Sequence, residues 1–222
     1  MPRLGSLALI AVLLCSPARA AEQSYKVYFG GQQLGWVLYS SGTTSTLSSL
    51  LDGTPFGVFD GRYEGQSRQT GQGGARYEGR STATRKNRDV EIVRNDAGQV
   101  IEVTISPEKD RTESSNPAEV PEDVLDPVAG FGRLVSGTSC PVGFKLYDGR
   151  RVVQVSPRKT TSNGTALTCW MDYSVIHGPG HLSPLYIKSI DLRMEFDPAI
   201  LEAGPNLLSF RSGLLELQFR RD

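Results

Sequence analysis

The sequence predicts a mainly β protein: a strongly curved or barrel-like antiparallel sheet, a β-spiral, with one short helix. Three observations carry this expectation. Many short segments alternate apolar and polar side chains, turn residues punctuate them, and only one stretch carries helix start signals. The count comes to about ten to thirteen strands, and a sheet that large curls or splits rather than staying flat. A two-sheet sandwich is the structural alternative.

Residues 1–20, MPRLGSLALIAVLLCSPARA, place Arg3 before an apolar run from Leu7 to Cys15 and end in Ala18-Arg19-Ala20. A charged start, a short apolar core and small residues before the cut describe a cleaved signal peptide. The apolar run is shorter than the roughly 20 residues that span a bilayer. Lipidation at Cys15 is a weaker reading, since Leu14 stands where a small residue is expected. Cleavage after Ala20 leaves a single β domain over residues 21–222, long enough to bury a core.

The strands follow in order. Tyr25, Val27 and Phe29 alternate before the Gly30-Gly31 turn, and Leu34 to Tyr39, centred on Trp36, is apolar on both faces as a covered strand is. Arg88–Arg94 and Val100–Ile105 flank Asn95-Asp96-Ala97-Gly98, a hairpin signal. Phe144–Tyr147 and Arg151–Val155 flank Asp148-Gly149, whose residues both tolerate positive φ. Ile190, Leu192, Met194 and Phe196 alternate with Ser189, Asp191, Arg193 and Glu195. Leu208 and Phe210 then pair with Leu217 and Phe219 across the Ser212-Gly213 turn.

Two segments break the pattern. Residues 107–122 are acidic and rich in Glu, Ser and Pro, which predicts an exposed loop open to proteases. Residues 123–135 predict the short helix, with Asp126 as N-cap and Pro127 at the first helical position. No internal repeat is read along the chain.

Charge and motifs exclude several functions. The whole chain has a formal net charge of zero, which asks for neither nucleic acid nor an anionic membrane surface. Of three cysteines, only Cys140 and Cys169 remain after cleavage, and an exported chain most economically joins them in one disulfide. No cofactor motif occurs. His177-Gly-Pro-Gly-His181 is an incomplete metal site, read as a surface turn, and no Gly-x-Ser-x-Gly supports a serine hydrolase. Asn163-Gly-Thr165 matches a glycosylation acceptor only formally. Arg150 and Arg151 leave their turn toward opposite faces, so one of them can reach a cavity. Meeting Asp148 or Asp172 inside, it makes a buried pair or an anion site; otherwise both are exposed hairpin arginines.

Tyr25-Lys26-Val27-Tyr28-Phe29-Gly30-Gly31 with Gly35, then Asp126-Pro127, Cys140, Tyr147-Asp148-Gly149-Arg150-Arg151 and Cys169, taken in order, resemble the bacterial periplasmic proteins catalogued as domain of unknown function 3108. The resemblance implies a periplasmic protein of a Gram-negative envelope, a curved sheet around a helical element similar to lipoprotein-carrier proteins, and no established enzyme activity. The segment His177–Pro184 and the end after Asp197 depart from the pattern. The expected function is noncatalytic binding of a lipophilic ligand or an envelope protein, with Trp36, Asp148, Arg150, Arg151 and Met194 as candidate contacts. A structural scaffold, or a hydrolase of envelope glycans, are the alternatives.

Overall fold

The computed structural model describes residues 21–54, 60–83, 86–181, 186–197, 199–200 and 204–222. The expected leader, residues 1–20, and part of the His177–Pro184 turn lie outside the described residues. The first half of the chain forms β1 (Glu22–Phe29), β2 (Gln32–Ser40), β3 (Thr44–Leu51), β4 (Gly61–Gln69), β5 (Ala75–Ala83), β6 (Lys86–Arg94) and β7 (Val100–Ser106). The second half forms β8 (Val124–Leu125), helix α1 (Pro127–Val135), β9 (Phe144–Tyr147), β10 (Val152–Ser162) and β11 (Leu167–His177). It ends with β12 (Ser189–Phe196), β13 (Leu207–Ser212) and β14 (Leu215–Arg221).

All 14 strands belong to one sheet, ordered β7-β6-β5-β4-β3-β2-β1-β14-β13-β12-β11-β10-β9-β8. It is antiparallel throughout except where β8 runs parallel to β9. The sandwich alternative therefore falls, and the strand number exceeds the expected thirteen. The terminal strands β1 and β14 pair in the middle of the sheet, with Val27 opposite Phe219, while β7 and β8 are the two edges. The sheet curves strongly without closing into a barrel.

The concave face is filled by α1. Val128 and Val135 on the helix are fully buried, and Phe131 meets Tyr25 edge-on at 6.3 Å between ring centres, with Tyr39 at 6.1 Å and Phe219 at 6.4 Å. Gly130 and Gly132 weaken a helix by propensity but fit the packing. A Cβ on Gly132 would lie 2.2 Å from the Tyr39 hydroxyl, and one on Gly130 would lie 1.8 Å from a Leu146 methyl. Met171, Leu192, Met194 and Leu208 complete the core on the other half of the sheet. Cys140 and Cys169 form the expected disulfide, tying the chain just after α1 to β11 with a Cα–Cα distance of 5.6 Å.

Several expectations need correction. The helix starts at Pro127 with Asp126 as its N-cap, as expected, but Val124 and Leu125, inside the 123–135 segment, form a parallel strand on β9. Strand β2 is not covered on both faces: Val37 and Tyr39 point inward, while Trp36 is half-buried beside Lys26 and Leu50 on the outer face. The loop at 107–122 is only partly exposed. Glu108, Glu113, Glu119 and Glu122 are in solvent, but Asp110, Ser114 and Ser115 are buried within three 3-10 turns, Glu108–Asp110, Glu113–Ser115 and Pro117–Glu119. Those turns carry the chain from one sheet edge to the other.

Asp126 secures the helix. One carboxylate oxygen accepts the N–H groups of Val128 and Ala129 at 3.0 and 2.9 Å, and the other accepts the Ser67 hydroxyl at 2.7 Å from β4. Removing it deletes a buried cap and strands a buried hydroxyl, so Asp126→Ala is expected to cost about 2–3 kcal/mol in urea denaturation. Asp126→Asn, which keeps the shape and one acceptor oxygen for the helix N–H groups, is expected to lose less. Equal stability of Asp126→Ala and the wild type would show that the helix is held by packing alone.

Candidate functional site

The Asp148-Gly149 turn joins β9 to β10 as expected, with Gly149 at φ 87°. Asp148 Oδ1 accepts the backbone N–H groups of Arg150 and Arg151, both at 2.9 Å. Its Oδ2 lies 2.9 Å from Arg151 Nε. The pair is held by charge, because the N–H direction does not align as a hydrogen bond. Arg151 is 6 % exposed, and neither its Nε nor its Nη1 has a hydrogen-bond partner. Leaving such a donor unpaired in the interior costs about 1–3 kcal/mol.

Arg151 is among the residues that line a half-open cavity of about 300 Å³. The cavity sits where the two ends of the sheet approach each other. Arg88 and Val90 come from β6, Tyr63 and Tyr77 from β4 and β5, Val153 and Tyr173 from β10 and β11, and His181 from the loop after β11. Gly178 carries that loop at φ 85° so close to the turn that a Cβ would lie 2.4 Å from the Arg150 carbonyl. The Tyr173 hydroxyl and His181 Nε2 share a hydrogen bond at 2.6 Å. Burial first, then the Arg151 charge, push the His181 imidazole down to about 4 against the opposing pull of Asp148. Burial likewise raises the Tyr173 phenol. At neutral pH this dyad is uncharged.

The opposite wall rests on a short repeat that the sequence reading missed. Arg62-Tyr-Glu-Gly-Gln-Ser67 and Arg76-Tyr-Glu-Gly-Arg-Ser81 share the pattern Arg-Tyr-Glu-Gly-x-Ser. They lie on β4 and β5 with Gly65 opposite Gly79, so each tyrosine faces the other copy's serine. Each ring folds over the glycine two residues ahead, where a Cβ would lie 2.4 Å from the Tyr63 hydroxyl and 1.9 Å from the Tyr77 hydroxyl. The two hydroxyls are 2.9 Å apart, and burial raises both phenols.

Arg150 turns away from the cavity but is not an exposed hairpin arginine either. Its Nε donates to the Asp110 carbonyl at 2.6 Å, and burial together with the charges of Arg88 and Arg151 lowers its pKa. Asp172 sits on the outer face with Arg158 at 3.1 Å and has no part in the site. Met194 is fully buried in the core, and Trp36 faces outward, so neither lines the cavity. Of the five expected contacts, Asp148 and Arg151 meet in the cavity. Missed were Tyr63, Tyr77, Arg88 and Tyr173. The surface-turn reading holds for His177 but not for His181, which is half-buried against Tyr173 in the cavity. The tyrosine-glycine repeat is the one further sequence signal that pointed there.

A larger open groove, about 640 Å³, crosses the outer face of β3 to β7. Its four carboxylates outnumber Arg80, its one arginine, but each is paired: Asp89 with Arg80 at 2.7 Å, and Glu64, Glu78 and Glu91 with Arg62 and Arg76 beside the groove. Among the described residues, no three metal-ligating side chains cluster and no helix is long and apolar enough to cross a membrane. Comparison with protein-family models, curated proteins and solved structures finds no match to this chain.

The low basicity of His181 makes a pH prediction. Its folded pKa near 4 lies below the ordinary 6.5, so the unfolded chain takes up this proton first as pH falls. Stability contributed by the neutral ring is complete above about pH 6.5, declines down to about pH 4 and levels off below. Between pH 7 and 5 the wild type is expected to lose about 1–2 kcal/mol more than His181→Gln in denaturant titrations, after screening at the cavity mouth. The carboxyls of Asp110 and Glu216, held below their usual range, do not titrate in that window. Parallel pH profiles for the two proteins would place the imidazole in solvent.

Proposed function

We propose that this chain is a noncatalytic binding protein, exported to the periplasm of a Gram-negative envelope, that takes a small ligand into the cavity beneath the Asp148-Gly149 turn. The observation that carries the reading is the cavity of about 300 Å³ itself, where Asp148, Arg151 and the Tyr173–His181 pair converge. Natural ligand pockets combine an apolar lining with a few converging polar groups, and their volumes begin at about 300 Å³. Here tyrosine rings, Val90, Leu146 and Val153 supply the lining. The volume favours a compact molecule, partly apolar, over a long acyl chain.

Export is supported by the leader-like first twenty residues and by the Cys140–Cys169 disulfide, which belongs in an oxidising compartment. The ordered motifs from Tyr25 to Cys169 support kinship with the proteins of domain of unknown function 3108. A noncatalytic role fits the state of Asp148. It is the one carboxylate among the described cavity residues, and its oxygens are taken by two backbone N–H groups and by Arg151. Glycoside hydrolysis asks for two carboxylates facing each other across the substrate. The scaffold alternative draws less support, because the exposed large apolar side chains, such as Ile101, Val142 and Leu214, come singly along the chain.

Ser81 lines the cavity from β5 and is half-buried, so Ser81→Phe fills the space at a position with room to adjust. Native mass spectrometry of the protein purified from the periplasm is expected to show a bound small molecule on the wild type and none on Ser81→Phe, with unchanged circular dichroism. The same bound mass on both proteins would place the ligand elsewhere. Turnover of an envelope glycan that vanishes in Asp148→Asn would make the protein an enzyme.

A further inference from the structure

Resting on the cavity reading above, we propose that the cavity selects an uncharged ligand: a compact aromatic or branched apolar body that carries a hydroxyl or carboxamide group. Three features of the cavity point to this class.

The first is that its charges are already paired. Arg151 has Asp148 at 2.9 Å, and Arg88 has Asp110 at 2.9 Å. At neutral pH the other titratable groups of the wall carry no charge. Burial and the Arg151 charge hold the His181 pKa down, and burial holds the phenols of Tyr63, Tyr77 and Tyr173 protonated. With Asp110 counted, the described groups around the space sum to zero, each cation beside its own carboxylate. An ion that enters gives up part of its hydration and meets no free counter-charge, so anions and cations are both disfavoured.

The second is a surplus of donors on neutral groups. The Tyr63 and Tyr77 hydroxyls carry two hydrogens, and the 2.9 Å bond between them uses one. The Tyr173 hydroxyl and the neutral His181 ring also carry two, and their 2.6 Å bond uses one in either tautomer. Each pair therefore keeps one hydrogen without an acceptor. All four residues line the cavity, and Tyr63, Tyr173 and His181 are half-buried rather than sealed. A hydroxyl or carbonyl oxygen on a ligand supplies an acceptor without bringing a charge.

The third is the body of the site. Val90, Leu146 and Val153 join the tyrosines around the space. Its volume of about 300 Å³ is about twice the roughly 150 Å³ of an apolar cavity that takes benzene. One ring with a short polar arm fits such a space, and aromatic neighbours favour it.

Isothermal titration of the mature chain at neutral pH compares probes that share one ring: 3-phenylpropanamide, 3-phenylpropanoate, 3-phenylpropylammonium and ethylbenzene. The amide is expected to bind at least about tenfold tighter than either ion, because each ion leaves water for a wall whose charges are paired. It is expected to bind several-fold tighter than ethylbenzene, which offers no acceptor. Ser81→Phe, which fills the space, is expected to lose the amide. Should that variant fail to fold, the Val90 and Val153 methyl resonances of the wild type decide, since only an amide in the cavity shifts them. Either ion binding as tightly as the amide would overturn the uncharged assignment and leave the cavity as a binding site. Ethylbenzene binding as tightly would overturn the hydrogen-bonded arm. Amide binding that survives Ser81→Phe or leaves both methyls unmoved, or no heat from any probe, would overturn the cavity reading itself.

Discussion

The structure depends on how its unclosed sheet is sealed. Strand β7 ends one edge and β8, only two residues long, ends the other, and no ladder joins them. Edges with unpaired backbone groups invite foreign strands unless they are covered. Here the segment between β7 and β8 crosses the gap and supplies the missing hydrogen bonds. The Ser115 hydroxyl donates to the Gly149 carbonyl at 2.8 Å, the Thr112 hydroxyl to the Arg150 carbonyl at 2.8 Å, and the Tyr147 hydroxyl to the Ser114 carbonyl at 2.6 Å. Arg94 reaches across from β6 to the Val124 carbonyl at 2.8 Å. Asp110 clamps the same crossing to β6 through Lys86 and Arg88, at 3.0 and 2.9 Å. Burial alone raises that carboxyl's pKa, yet the two cations outweigh it and hold the group below its ordinary value.

The cavity is a consequence of that seal. A closed ladder would bring the edge strands β7 and β8 to strand spacing, about 4.8 Å, and leave no gap to bridge. With side chains and 3-10 turns bridging the gap, the Asp148-Gly149 turn rests directly on Val90 of β6, where a Cβ on Gly149 would lie 2.7 Å from a Val90 methyl. Just inside that contact the wall opens into the space bordered by Arg151 and the tyrosines. Elsewhere the concavity is full, since α1 and Phe131 occupy it against β1, β2 and β14. Among the described residues, the packing leaves a small pocket at this seam rather than a long apolar tunnel.

Much of the fold was legible because its signals are local. The Asn95–Gly98 and Asp148-Gly149 hairpins, the Asp126-Pro127 helix start and the cysteine pair each rest on residues whose chemistry acts within a few positions or admits one partner. What alternation does not give is which face is inside. Trp36 and Val37 are equally apolar, and only pairing with Lys26 and Tyr25 sends one out and the other in. Near Arg151 the alternation holds, with Arg151 and Val153 toward the cavity and Arg150 away from it, but it does not tell covered faces from open ones. Val152 and Val153 are both buried, because α1 and the cavity lie on one side of β10 and the crossing segment closes over the other. The crossing itself was read as exposed from its glutamates, which are indeed in solvent; the buried Asp110, Ser114 and Ser115 between them gave no sign, since polar residues are buried only where distant partners satisfy them.

The Asp148–Arg151 pair is not explained by stability. A buried ion pair repays its desolvation only with good geometry and full satisfaction of the remaining donors, and a well-packed apolar side chain is often as stable or more so. This pair has neither advantage, as its N–H is misaligned and Nη1 is unpartnered. The turn does not require the arginine, because Asp148 Oδ1 caps it through backbone N–H groups that any residue at 150 or 151 would provide. What the pair does achieve is position. The capped turn fixes Asp148, its second oxygen holds Arg151 beside the cavity, and the Gly178 loop packs against the Arg151 backbone while bringing His181 to Tyr173.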